Sequence, residues 1–148
     1  MAISRGSGTE IIRSHSFAEI DGAQDLIIGV QHHIYTVLSI VVHCRSLNAA
    51  ADKFYIDFVG WDAHGGQSAQ GTRMVAQQLA VDSVFVWNDK FSFNGCEPTG
   101  ISGTLNTAAE QDAIADQGTA TAQKLTFNTS DPADDFDVWV SFIDQNNA

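Results

Sequence analysis

The chain has 148 residues, 44% of them hydrophobic, and a formal charge of −11 from 18 acidic against 7 basic side chains. At that length one domain buries roughly 70% of the surface its unfolded chain exposes, so no disulfide or metal staple is required. Single scattered bases in so acidic a chain cannot neutralise a run of phosphates, which excludes direct nucleic-acid binding. No apolar run reaches the about 20 residues of a membrane-spanning helix.

The charge is uneven. Residues 1–74 hold seven acids and five bases, a net of −2, whereas residues 75–148 hold eleven and two, a net of −9. The ordinary meaning of such a surface is solubility.

Residues 1–8 (M-A-I-S-R-G-S-G) contain no apolar core of the kind a secretory leader needs and read as a flexible arm before a single domain over 9–148. Residues 10–20 alternate loosely and predict a first strand, closed by the turn signal Asp21-Gly22. Residues 25–30 (D-L-I-I-G-V) predict a short second one.

The organising stretch is 34–44, I-Y-T-V-L-S-I-V-V-H-C, with neither charge nor glycine nor proline. It predicts a strand covered on both sides. Simple alternation puts Ile34, Thr36, Leu38, Ile40, Val42 and Cys44 on the core face, and Tyr35, Val37, Ser39, Val41 and His43 on the other.

Residues 53–61 (K-F-Y-I-D-F-V-G-W) predict another strand, with Phe54, Ile56 and Phe58 opposite Tyr55, Asp57, Val59 and Trp61. A glycine-rich loop follows over 62–71, then a weakly patterned strand over 72–81. In 83–93 (S-V-F-V-W-N-D-K-F-S-F) two alternating runs flank Asn88-Asp89, the pattern of a tight hairpin. Thr107-Ala108-Ala109-Glu110 matches a capping box for a short surface helix over 108–117, with Gly118 as its stop. Residues 123–128 and 136–143 are the last strands, the latter pointing Phe136, Val138, Val140 and Phe142 one way and Trp139 and Ile143 the other.

About eight strands without long amphipathic helices predict an all-β fold, an antiparallel two-sheet β-sandwich of jelly-roll-like type.

Candidate chemistry is sparse. His32-His33, His43, His15 and His64 include ligand types, but no zinc spacing is present, and edge or interface histidines are the favoured reading. Asp131, Asp134, Asp135 and Asp137 crowd into seven residues without the twelve-residue calcium-loop pattern, so a solvated acidic turn is expected. If calcium binds anywhere, the stretch is 131–137. Cys44 and Cys96 are expected to be free thiols, and Cys44, next to His43 in a strand, points away from it. Gly65-Gly66-Gln67 lacks basic surroundings, no Gly-x-Ser-x-Gly turn occurs, and neither glycine-rich stretch forms a phosphate loop. No catalytic, cofactor or metal site is therefore assigned.

The stronger signal is surplus apolar surface. Tyr35, Val37, Val41, Tyr55, Val59, Trp61, Trp139 and Ile143 all fall opposite an obvious core face, and the loops that could cover them are small and polar. Neighbouring subunits are the expected cover.

The arm M-A-I-S-R-G-S-G-T-E, the block I-Y-T-V-L-S-I-V-V-H-C and the ending V-S-F-I-D-Q-N-N-A resemble small virion structural proteins of tailed bacteriophages, in particular sandwich-type capsid decoration (cement) proteins. The resemblance implies a non-enzymatic protein, without cofactor, that self-associates, often as a trimer, on a capsid shell. Its partners would be copies of itself and a major capsid or other virion protein, and its location the virion. A carbohydrate- or receptor-binding module, with Trp61 and the 62–71 loop as its site, is the alternative.

Overall fold

The computed structural model describes residues 9–60, 71–97, 106–111 and 121–146. Among the described residues nine strands follow one another: β1 (Thr9–Ile20), β2 (Gln24–Ile28), β3 (His33–Ser46), β4 (Lys53–Val59), β5 (Gly71–Gln78), β6 (Val84–Trp87), β7 (Phe91–Asn94), β8 (Lys124–Thr129) and β9 (Asp135–Asn146). They form two antiparallel sheets, one ordered β1-β9-β3-β6 with β7 also on β3, the other β2-β8-β4-β5. The expected all-β two-sheet sandwich is what forms.

The pair β6–β7 is not the expected hairpin. Val84–Trp87 pairs with Ile40–His43, and Phe91–Asn94 pairs with Ile34–Val37, so both run in the same direction along β3. Residues 88–90 interrupt one long strand without reversing it. Each half finds a complete partner in the 14-residue β3, and the inward-facing aromatics Phe85 and Trp87 keep their period-two phase with Phe91 and Phe93 across the exposed residues 88–90. Local bonds hold the interruption in place, with Trp87 Nε1–H donating to the Asp89 carbonyl at 2.7 Å. Counted as one interrupted strand, the described residues form eight strands in jelly-roll order: first, eighth, third, sixth in one sheet and second, seventh, fourth, fifth in the other.

The face assignment within β3 also changes. Val37 pairs with Phe142 and Ser39 with Ser141, leaving Leu38 as an extra residue, a β-bulge. A one-residue insertion exchanges the faces beyond it. Tyr35 and Val37 before the bulge therefore point inward with Ile40, Val42 and Cys44 after it, all buried. Ile34 and Thr36, expected in the core, lie on the outer side with Ser39, Val41 and His43, opposite Asn94 and Ser92. The core needs the exchange, because Tyr35 fills the space between Phe93 (5.4 Å between ring centroids) and Phe142 (5.9 Å).

Between the sheets the core is aromatic. Phe54 lies 5.3 Å from Phe85 and 5.8 Å from both Phe127 and Phe136. Phe136, Val138, Val140 and Phe142 of β9 are buried as expected. The capping box is also present: Glu110 N–H donates to Thr107 Oγ1 and Thr107 N–H to Glu110 Oε2, both at 3.2 Å, at the start of a helical turn over 108–111. The remainder of the expected helix, the arm 1–8, Trp61 and the loop 62–70 with His64 lie outside the described residues.

Candidate functional site: the outer face of the five-stranded sheet

Alternation along β1, β9, β3, β6 and β7 leaves one side of each strand outside the sandwich, and the register brings those sides together in rows. One row runs Ser16, Trp139, Val41, Val86. The next runs Ser14, Ser141, Ser39, with the Ser14 and Ser141 hydroxyls 3.3 Å apart. A third runs Ile12, Ile143, Thr36, Ser92, where the Thr36 and Ser92 hydroxyls meet at 2.8 Å. No residue in these rows carries a charge. Ile12 is 69% exposed, Val86 47% and Trp139 43%, and Val84, one step further along β6, is 54% exposed.

This apolar surface differs from the one anticipated. Val41, Trp139 and Ile143 belong to it. Tyr35 and Val37 do not, since they are core, and Tyr55 lies on the other sheet beneath the Arg73 guanidinium, 3.8 Å from the ring centroid. Ile12, Val84 and Val86 join it, and the alternation of Val84 and Val86 with Phe85 and Trp87 was the signal for two of them. The outer side of the four-stranded sheet is mixed, with Arg73 bonded to Asp57 at 3.0 Å, Lys124 3.8 Å from Asp25 and Ile28 exposed beside Lys124.

Charged groups gather at the two ends of the five-stranded sheet. At one end Asp144, whose side chain is 8% exposed, accepts from His33 Nδ1 at 2.5 Å and from Arg13 Nε at 2.9 Å. The three line a shallow cavity of about 570 Å³ with Thr9, Glu10, Ile11 and Asn146. At the other end Asp137 accepts from the Glu19 amide (3.1 Å) and from His43 Nδ1 (3.4 Å), with Arg45 at 3.6 Å. Burial pushes the Asp137 carboxyl up, but the Glu19 and His43 hydrogen bonds and the charges of Arg45 and His43 together hold it below the usual carboxylate range. Glu19 reaches it because a bulge at 18–19, with Glu19 at φ 55°, turns its amide toward β9.

The histidines that include ligand types are dispersed. His33 and His43 are at opposite ends of β3, and His15 donates from Nδ1 to the Leu26 carbonyl at 2.9 Å while packing edge-on against Phe142. Among the described residues no group of three or more His, Cys, Asp or Glu side chains is arranged to hold a metal. Cys44 and Cys96 are free; burial pushes both thiols up, and the nearby Asp134 and Asp82 charges push Cys44 further. Cys44 faces the core and His43 the outside, so the two make no nucleophile–base pair.

The acidic turn is not uniformly solvated. Asp134 is fully buried, Asp131, Asp135 and Asp137 are half-buried, and Asp134 Oδ1 accepts the Asn48 amide at 2.8 Å. Its place at the start of β9, in the turn that meets residues 47–52, draws it inward.

No family model and no curated protein matches the sequence. Among solved structures, a chain of the Bacillus endospore appendages, a family of disulfide-linked pili, aligns with TM-score 0.42 and 10% identity over 100% of this chain and 96% of that one. A chain of infectious bursal disease virus, Gt strain, aligns with TM-score 0.42 and 10% identity over 94% of this chain and 33% of that one. A chain of the T13 particle of the same virus gives 0.40 and 10%, over 99% and 37%. This chain thus spans about a third of the length of those virus chains.

Proposed function

We propose that the chain is a non-enzymatic structural protein of a virion, which self-associates through the outer face of its five-stranded sheet and stabilises a capsid shell in the manner of a phage decoration protein. The observation that carries this reading is the uncharged, half-exposed apolar face around Trp139, Val41 and Val86. A molecule of formal charge −11 repels its own copies over most of its surface. An uncharged face is where that repulsion is least and where covering apolar side chains returns free energy. Fully burying a large apolar side chain is worth about 1.5–3 kcal/mol, so covering these partly exposed ones gives of the order of a few kcal/mol per contact.

The packed aromatic interior supports the non-enzymatic part, since the space between the sheets that could hold a ligand is filled by Phe54, Phe85, Phe127 and Phe136. Jelly rolls serve capsid and lectin domains alike. The trimeric state and the reach of arm 1–8 to a neighbour or to the shell come from the resemblance to decoration proteins. Gradient-purified particles from an infected host should contain this chain in stoichiometric proportion to the major shell protein. Its absence from particles, with specific retention on immobilised glycans, would replace this reading with a carbohydrate-binding one.

A further inference from the structure

We propose that Asp134 and Asp52 form a proton-binding carboxyl pair, in which one shared proton clasps residues 47–52 to the turn 130–134 and is released as pH rises. The two segments meet at the end of the sandwich where β3 leaves and β9 enters. Asp134 Oδ1 accepts the Asn48 amide at 2.8 Å, while Asn48 Nδ2 donates to Asp131 Oδ2 at 3.1 Å. Asp52 Oδ2 accepts the Ala49 amide at 2.8 Å, and Asp131 Oδ1 accepts the Ala133 amide at 2.8 Å. One atom is left over: Asp134 Oδ2 is buried and meets no hydrogen-bond donor.

Asp52 is the carboxyl group set beside it: Asp134 and Asp52 accept from the adjacent amides of Asn48 and Ala49 in one turn. Two ionised carboxylates offer only acceptors to each other, and a buried acceptor without a donor is destabilising. A proton on one of them turns the repulsion into an O–H···O⁻ hydrogen bond. Among the described residues, the titratable groups that act on Asp134 or feel its charge are Asp52 from the connecting segment, Asp131 from its own turn and the Cys44 thiol from β3, and none of these supplies a positive charge. Burial pushes the Asp134 carboxyl up, and the Asp52 hydrogen bond and the Asp52 and Asp131 charges add to this, against the opposing Asn48 amide. A cation is the other way to neutralise the site, but among the described residues no group of three ligands is set for one.

Ionisation would place a further negative charge among these acids and expel Asp134 from its seat, freeing the Asn48 amide. The test is a site-resolved ¹³C carboxyl NMR titration of the full chain from about pH 4 to about pH 9, with amide hydrogen exchange read alongside. Asp134 is expected to titrate above the ordinary value of about 3.9, and the Asn48 amide to lose protection as Asp134 ionises. In Asp52→Asn, whose amide can donate to Oδ2, the Asp134 titration should move down. An Asp134 carboxyl already ionised at ordinary acidity, or a titration unmoved in Asp52→Asn, would overturn the proposal. Stabilisation of the wild-type chain by calcium chloride that is lost in Asp134→Asn would likewise overturn it in favour of a cation site.

Discussion

Asp134 and Asp137 stand three residues apart and answer pH in opposite senses. Asp137 is held below the usual range, so the stability it contributes is present above the unfolded value of about 3.9 and is lost as pH falls through its depressed folded value. Asp134 is raised, so its contribution is complete below the unfolded value and is lost as pH rises through its raised folded value. In thermal denaturation across pH, Asp137→Asn should flatten the acid limb and Asp134→Asn the limb on the other side. Both variants tracking the wild-type profile would show that neither carboxyl is coupled to folding. Nothing in the run D-P-A-D-D-F-D marks Asp134 as the buried one. Its burial is decided by the Asn48 amide, 86 positions away in the chain, and a local pattern carries no trace of that.

At the scale of elements, strands were legible wherever alternation was clean, as in β4 and β9. Register was not. Alternation is a local property, whereas a bulge is a relation between two strands, and Leu38 has nothing in its own neighbourhood to announce that Val37 and Ser39 will take adjacent partners on β9. The hairpin expectation at Asn88-Asp89 failed for the same reason: turn chemistry permits a reversal, while the length of β3 rewards continuing straight along it.

The connections at the Tyr35 end are tighter than composition suggests. The Gly95 amide donates to the His33 carbonyl at 2.8 Å, and the Gln123 amide to the Gly95 carbonyl at 3.0 Å. A Cβ on Gly95 would overlap the Val30 carbonyl, and one on Gly29 the Gly95 carbonyl. Backbone must move to admit either, so Gly95→Ala should cost at least about 1–3 kcal/mol in urea unfolding. A neutral result would mean that the 29–30 and 95 segments are not in this close approach.

For the molecule as a whole, the informative contrast is between its two outer faces. The four-stranded sheet shows solvent Arg73, Asp57 and Lys124, while the five-stranded sheet shows Trp139, Val86 and Ile12. Surplus apolar surface was legible in the sequence, but part of it fell on the wrong residues, because the bulge in β3 carries Tyr35 and Val37 inside. If the arm 1–8 reaches a partner, its deletion should weaken assembly and leave the melting temperature of the isolated subunit nearly unchanged; a large fall in that temperature would make the arm part of the core.

Whether copies meet through the uncharged face is read by sedimentation equilibrium of the wild-type chain and Trp139→Lys at micromolar concentration. The substitution sets a charge in the middle of the face at a side chain 43% exposed, where the subunit's own fold should tolerate it. The wild type should sediment as an oligomer and the variant as a folded monomer. A monomeric wild type, or a variant that assembles as tightly as the wild type, would contradict the account.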